Sequence, residues 1–420
     1  MAQRPKVTDR DELAQKIQPV ILGADYSCYA YVRAFWEAYH VRSIIYAGSD
    51  IKSISRTKFA DYHVEEGVDS EEVLIPLLKR VGDQLCVEGR VPFLVTCGDF
   101  YARIVSKHKP ELERWYYTPV VDFDVLDFVT QKQNFYEVCE QVGMAYPKTR
   151  FLDCSLKGAV ANDEGFTYPL VAKPSNSAHY HYAEFEGKKK VFVIQTPEEL
   201  RRVYTALQDS CYDDSLIVQE FVPGGDSHMY ALYCYVDKDS NPVFTVCCHV
   251  GLEDHHPSAI GNAVAIVPEP NEEMTSSAAR FLKKVGYHGM CCFDAKYDAR
   301  DGSYRFLEVN ARPGRSSWLV LLSGINYARI QAEDAILGVS PVPVEPKGDW
   351  VYVGVPKAVI ERCMPNVPVK ERVLAAYDNH TASFALDWPE DSLSQRFWAR
   401  VNFEHQVSKF KRYLPEPDQP

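Results

Sequence analysis

The chain has 420 residues, more than one hydrophobic core usually organises, and its 46% hydrophobic and 25% charged residues are those of a globular protein rather than a disordered or fibrous one. A formal net charge of −12 argues against a general nucleic-acid or anionic-membrane binder, so any phosphate site has to be built locally. Residues 1–16 are charged and lack an apolar leader core, and no later apolar run approaches a membrane span; the expectation is a cytoplasmic protein. The 12 cysteines show no C-x-x-C spacing and read as reduced, mostly buried small hydrophobes.

In chain order, Pro19-Val-Ile-Leu-Gly23 reads as a buried strand, residues 27–40 as an aromatic-rich helix and 41–47 as a second strand. A helix over 71–81 and a strand over 92–97 follow, which together predict a small parallel α/β domain ending near residue 124. Gly23 alone is not a G-x-G-x-x-G fingerprint and reads as a tight turn before a helix. From residue 126 the pattern predicts one helix through 142, a strand over 168–173, a polar Lys-rich loop, a strand over 191–194 and a helix over 198–207 started by Thr196-Pro197. Residues 216–222 form the next expected strand, closed by Pro223-Gly224-Gly225, and 229–236 with 242–249 an antiparallel pair. A helix over 272–285 precedes a hairpin of 290–297 and 304–310, turned at Asp298-Ala-Arg-Asp-Gly302. A helix over 327–337, a Pro-rich linker at 341–346, a strand over 350–355 and helix over 392–413 complete the chain.

The hairpin carries the strongest chemistry. Side chains alternate along a strand, so Cys292, Asp294 and Lys296 share one face, as do Glu308 and Asn310. A turn centred on Asp301 sets Asp294 opposite Glu308, with Cβ atoms roughly 5 Å apart. Two carboxylates that close repel unless a cation intervenes, and Asp294, Glu308 and the Asn310 amide are hard oxygen ligands suited to Mg²⁺. The run Arg312-Pro-Gly-Arg315-Ser316-Ser317 then adds two guanidiniums and two hydroxyls, groups that suit phosphoryl oxygens or a carboxylate.

Phe306-Leu-Glu308-Val-Asn310-Ala-Arg312 resembles the Glu-x-Asn-x-Arg motif of the ATP-grasp superfamily, and Asp294 falls where that family places its other acidic ligand. The resemblance implies an α/β (α+β) ATP-grasp fold: an N-terminal pre-ATP-grasp α/β domain over 1–125, a small lobe with a lid loop over 126–222, a large lobe with the metal-binding hairpin over 223–340, and a C-terminal extension over 341–420. It implies ATP and Mg²⁺ as cofactors, Lys132 and Lys173 as phosphate-facing cations, and the Glu220-Phe221-Val222 segment with Asp226 as adenine- and ribose-proximal contacts. The phosphate-covering loop departs from the usual glycine-rich form, leaving Ser175 and Ser177 to donate hydrogen bonds and either Lys189 or Lys190 to close over the phosphates. The strings Lys173-Pro-Ser-Asn-Ser177, Phe293-Asp-Ala-Lys-Tyr297 and Gly314-Arg-Ser-Ser317 narrow the resemblance to the D-aspartate ligase branch.

That branch implies a carboxylate-amine ligase that forms an acyl phosphate and joins D-aspartate to the lysine side-chain amine of a peptidoglycan precursor. Arg312, Arg315 and Lys296 are then the expected catalytic cations, and Arg315, Ser316, Ser317, Glu253 and Asn262 the expected substrate contacts. His249, His255 and His256 crowd the loop before the hairpin at spacings poor for a metal. The expected partners are an amino-acid carboxylate and an amine acceptor, with no nucleic acid and no membrane span; a homodimer is the expected assembly. A ligase for another amino acid or acceptor, or a regulatory nucleotide binder without turnover, stays open. The complete Asp294, Glu308, Asn310, Arg312 set argues against the latter.

Overall fold

The computed structural model describes residues 3–175, 177–189 and 191–418. Four parallel strands, β1 (Ile17–Leu22), β2 (Ser43–Ala47), β3 (Ala60–Val64) and β4 (Val91–Thr96), form the first sheet in the order β3-β2-β1-β4. Helices Tyr26–Tyr39 and Glu71–Val87 supply the crossovers that parallel neighbours require. The sequence gives no signal for β3 because it is an edge strand, with only Ala60 buried. Gly23 leaves β1 at φ +125, and a Cβ there would lie 2.5 Å from the Cys97 carbonyl oxygen. The turn then delivers Asp25 as the cap of helix Tyr26–Tyr39, accepting from the Cys28 N–H at 3.1 Å.

The second sheet is antiparallel: β5 (Thr149–Asp153), β6 (Leu170–Pro174), β7 (Phe192–Ile194) and β8 (Ser215–Glu220), in the order β5-β8-β6-β7. Helix Pro197–Asp209 covers it, placing Leu200 and Leu207 against Leu170, Ala172, Leu216 and Val218.

The third sheet has seven strands: β9 (Met229–Val236), β10 (Pro242–Glu253), β11 (Ala263–Pro268), β12 (Gly289–Asp298), β13 (Ser303–Asn310), β14 (Val351–Val353) and β15 (Ala382–Ser383). Their order is β13-β12-β9-β10-β11-β14-β15, so the C-terminal segment supplies its last two strands. Both faces of this sheet are covered. Leu232 and Cys234 of β9 pack with Phe281 and Phe293 on one side, while Tyr233 and Tyr235 join Trp318 and Tyr352 on the other. The period of two explains the adjacent cysteine pairs: Cys247 and Cys291 enter one core, Cys248 and Cys292 the opposite one. All cysteines are unbridged, and all but Cys211 are buried. Each fully buried side chain of the size of Phe293 contributes about 2 kcal/mol of transfer free energy.

The helix expected from 126 to 142 is two helices, Phe123–Thr130 and Lys132–Val142. Gln131 between them is extended, at φ −79 and ψ 120, and no glycine or proline marks that break. No described helix is long and apolar enough to cross a membrane.

Gly23→Ala is expected to destabilise the protein by about 2 kcal/mol or more, since both the positive φ and the nearby carbonyl oppose a Cβ. Urea unfolding checks this; an unchanged midpoint would show that the turn relaxes freely.

Candidate functional site

β12 and β13 pair with Asp294 opposite Glu308 and Cys292 opposite Asn310, the register expected from the turn. A bulge after Asp294 increases the local twist beside the carboxylates. Asn310 donates its amide nitrogen to Asp294 at 2.9 Å and accepts at its oxygen from Arg312 at 3.3 Å. Burial first, then the neighbouring Glu308, drives the Asp294 carboxyl well above the ordinary carboxylate range. Glu308 goes the other way: burial opposes its charge, but Lys132, Lys173 and Arg312 outweigh that and hold its carboxyl down.

The break at Gln131 puts Lys132 at the first turn of its helix, where its Nζ lies 2.7 Å from Glu308. Lys173 comes from the opposite side, on β6 of the second sheet. Burial, and then the charge of Lys132, push its ammonium down to about 8. Arg312 reaches across to Asp99, which accepts two guanidinium bonds at 2.9 and 3.2 Å. Sequence reasoning missed Asp99; its only signal is an acidic residue just past the carboxyl end of β4, 213 positions away. Asp99, Arg103, Thr130, Lys132, Glu308 and Asn310 line a cavity of about 210 Å³ beside the hairpin.

A second polar cluster lies where the chain leaves β8. Lys296 does not join Arg312: its Nζ donates to the Gly224 carbonyl at 2.6 Å and sits 5.6 Å from the Phe221 ring centroid. Lys296 pairs with Met229 in the unbroken β12–β9 register, at the end of β9 next to the linking segment, two residues along the strand from Asp294. Glu220 is engaged by Arg300 at 3.4 Å, although Asp298 holds that arginine more closely at 2.6 Å. The N–H groups of Glu220 and Phe221 serve the carbonyls of Lys148 and Pro169, and Val222 is buried. Asp226 is buried as well; it accepts from His255 at 2.9 Å and from the Glu253 N–H at 2.8 Å, so it braces the loop instead of facing an open cleft. Its own N–H donates to Asp418 at 2.6 Å, a contact from the far end of the chain. Burial, then Asp226 and Asp294, push the Glu253 carboxyl up to about 8.

Arg315 lies apart from both clusters, with its guanidinium 4.7 Å from the centroid of the Tyr26 ring. Ser316 and Ser317 do not present hydroxyls to a ligand: Ser316 donates to the Ala263 carbonyl at 3.1 Å, and Ser317 is wholly buried. The cause is Gly314, whose backbone lies so close to Tyr233 that a Cβ would sit 2.6 Å from the ring, turning the run inward. Asn262 donates to the Ala259 carbonyl at 2.7 Å and closes its own loop. The Ser175 hydroxyl accepts from the Ser215 N–H at 3.2 Å, which ties it to the second sheet. Lys190 and the side chain of Ser177 lie outside the described residues.

Residues 132–334 match the family model described as "Carbamoyl-phosphate synthase L chain, ATP binding domain". The chain is also 32% identical over 405 residues to the D-aspartate ligase of Enterococcus faecium (strain Aus0004), across 94% of this chain and 96% of that one. The chain belongs to the D-aspartate ligase branch of the ATP-grasp superfamily. Solved structures agree on the fold. The ATP-grasp chain superposes on N5-carboxyaminoimidazole synthetase from Staphylococcus aureus with a TM-score of 0.57 at 12% identity, covering 90% of this chain and 88% of that one. The biotin carboxylase domain of the Hydrogenobacter thermophilus 2-oxoglutarate carboxylase, solved with MgADP, ADP and bicarbonate, gives a TM-score of 0.55 at 15% identity over 80% and 74% of the two chains. The protein is therefore an ATP-binding carboxylate-amine ligase.

The depressed Lys173 ammonium has a consequence for ATP binding. A triphosphate favours the charged form, so binding at pH 9 is expected to take up a proton that Lys173 lacks in the free enzyme. Calorimetry in two buffers of different ionisation enthalpy reads that uptake. It should fade toward pH 7, where Lys173 is already charged, and vanish in Lys173→Met; an uptake unchanged in that variant assigns the proton elsewhere.

Proposed function

We propose that this ATP-grasp ligase joins D-aspartate to an amine, the acceptor being the lysine side chain of a peptidoglycan precursor, through an acyl phosphate. The observation that carries the proposal is the near full-length similarity to a D-aspartate ligase, combined with the convergence of Lys132, Lys173, Asn310 and Arg312 on the Asp294–Glu308 pair.

On this reading the triphosphate enters beside the hairpin, with Lys132, Lys173 and Arg312 spreading its charge over three cations. The donor set fits Mg²⁺: Asp294 and Glu308 are hard carboxylates forced together, and Asn310, whose amide nitrogen bonds Asp294 here, would turn its oxygen to the metal in place of that bond. When bound there, the metal would neutralise phosphate charge that the lysines leave uncompensated. With the N–H groups of Glu220 and Phe221 already committed, Val222 is the residue of the linking segment left to donate to the base.

A carboxylate oxygen of the amino acid attacks the γ-phosphorus, the bond from that phosphorus to the bridging oxygen breaks, and ADP leaves with the electron pair. The neutral amine then attacks the acyl carbon, the C–O bond to phosphate breaks, and inorganic phosphate departs. Arg315 is placed to hold the carboxylate that is not activated, since its buried Nε has no hydrogen-bond partner among the described residues and a guanidinium pairs carboxylates bidentately. Burial, then Asp226 and Asp294, raise the Glu253 carboxyl to about 8, so a substrate α-ammonium beside it would draw it into its ionised form as a counter-charge.

D-Aspartate is expected to stimulate ADP release far more than neutral amino acids, and an amine acceptor should increase it further. Arg315→Lys keeps the charge but loses the planar fork, so the amino-acid KM should rise about tenfold or more while the ATP KM holds. Equal stimulation by neutral amino acids would sink the D-aspartate assignment and leave the ligase. Glu308→Gln should abolish Mg²⁺-dependent ADP formation with the fold retained, and wild-type turnover in that variant removes Glu308 from the metal site.

A further inference from the structure

The last eighty or so residues have no role in the chemistry described above, yet they wall a large cavity near it. A space of about 700 Å³ opens between the Gly23–Tyr26 turn, the loop that follows Glu253, and the C-terminal helix Leu393–Tyr413. Pockets that hold whole small molecules run about 300–1,000 Å³, so this one has room for a molecule well beyond a single amino acid. Arg315 lines it at one side, and Lys409 and Arg412 line it from the helix, with His256 and His405 between them.

Its charge is the reverse of the protein's. The whole chain carries −12, yet Asp25 is the one acidic side chain among the lining residues, and that carboxylate is occupied by the Cys28 N–H and the Ser27 hydroxyl. Lys409 is fixed by an ion pair with buried Asp254, which anchors the helix to the loop next to Glu253. Arg315 and Arg412 make no ion pair among the described residues, and the Arg315 Nε is buried without a hydrogen-bond partner. Two guanidiniums left uncompensated around one cavity suit oxyanions, which they pair by planar bidentate contacts.

We propose that this cavity is the binding site of the amine acceptor, and that the acceptor is an extended molecule carrying phosphate or carboxylate oxyanions which the C-terminal helix recognises through Arg412. The proposal rests on the ligase reading, because the cavity is called an acceptor site only if an amine is consumed. Arg315 stands at the junction: it lies three residues beyond Arg312 of the hairpin site and lines this cavity, so a donor carboxylate held there borders the acceptor's space. The helix is held to the first domain independently of any ligand, by Gln395 to the Ser53 carbonyl at 3.1 Å and Ser392 to the Arg56 carbonyl at 2.6 Å. The wall is therefore preformed.

The test uses the full chain saturated with ADP, so that the nucleotide site is filled. Inorganic pyrophosphate and a lysine-containing tripeptide with free carboxylates are titrated separately by calorimetry. At least one should bind, about tenfold more weakly in Arg412→Ala, the loss typical of one charge-assisted contact, with only partial recovery in Arg412→Lys, which keeps the charge and loses the planar fork. Pyrophosphate binding assigns the site to phosphate oxyanions, tripeptide binding to carboxylates. Because Arg412 is exposed, its replacement leaves the fold in place, which circular dichroism verifies. Failure of both probes to bind, or equal affinity in wild type and Arg412→Ala, overturns the proposal even if D-aspartate drives ADP release. Arg412-dependent binding without amino-acid-driven ADP release keeps the oxyanion site but overturns its role as an acceptor site and the ligase reading with it.

Discussion

Two carboxylates facing each other across one register position, Asp294 on β12 and Glu308 on β13, set the terms for everything around them. At about 5 Å and an effective dielectric constant of about 20, two such charges repel by roughly 3 kcal/mol. The fold answers with cations from separate segments: Lys132 from the start of a helix, Lys173 from the second sheet, and Arg312 from the exit of β13. The compensation is uneven. Glu308 receives the lysines and stays ionised, while Asp294 has a neutral amide as its bonded partner and is pushed toward its protonated form. A hard divalent cation held there would resolve that asymmetry in a way no further lysine would, because its double charge would favour the ionised form of both carboxylates.

What the sequence revealed and what it hid follow from range. The hairpin was legible because the turn at 298–302 lies between two alternating runs, and the expected Asp294–Glu308 pair is met; the turn itself pairs Asp298 with Ser303, and a bulge at Leu307 supplies the one-residue shift that the sequence does not signal. The break at Gln131 was not legible: the residues on either side continue a helical pattern, and it is the packing of Phe135 and Tyr136 against the large sheet that turns the second helix. Asp99 was hidden by distance, and the inward turn at Ser316 and Ser317 by a close approach of Gly314 to Tyr233 that only tertiary structure defines. Lys296 shows the limit of alternation as a guide. Sharing a strand face with Asp294 predicts a shared site, yet one step of two residues along β12 carries Lys296 to the start of β9, where its ammonium meets Gly224.

The C-terminal segment is tied into the fold at its most buried acidic point. Asp391, 6% exposed, accepts from the Tyr29 hydroxyl at 2.7 Å, the Thr57 hydroxyl at 2.5 Å and the Lys58 N–H at 2.9 Å, all of them in the first domain. With the neighbouring Ser392 N–H it has four donors, and such a buried carboxylate is costly to release, since loss of the contacts would leave it desolvated and unpaired. The same segment contributes β14 and β15 to the large sheet. It thus clamps the first domain to the sheet that carries the hairpin, and this clamp fixes Tyr26, bonded to Asn402 at 2.9 Å, beside Arg315.

The two lysines of the site stand on different bodies. Lys132 belongs to a helix whose Phe135, Tyr136 and Cys139 are packed into the core of the large sheet, whereas Lys173 ends a strand of the small antiparallel sheet. Lys132, with Glu308 within 2.7 Å, is held charged, and burial together with that charge lowers Lys173, which bears the cost. Like charges on two facing lobes oppose their approach, and a triphosphate between them turns that repulsion into a shared attraction. On the proposed reading, then, nucleotide does more than occupy the cleft. It supplies negative charge beyond that of Glu308, which draws the two lysines together, and above pH 8 the same charge restores the proton that burial takes from Lys173.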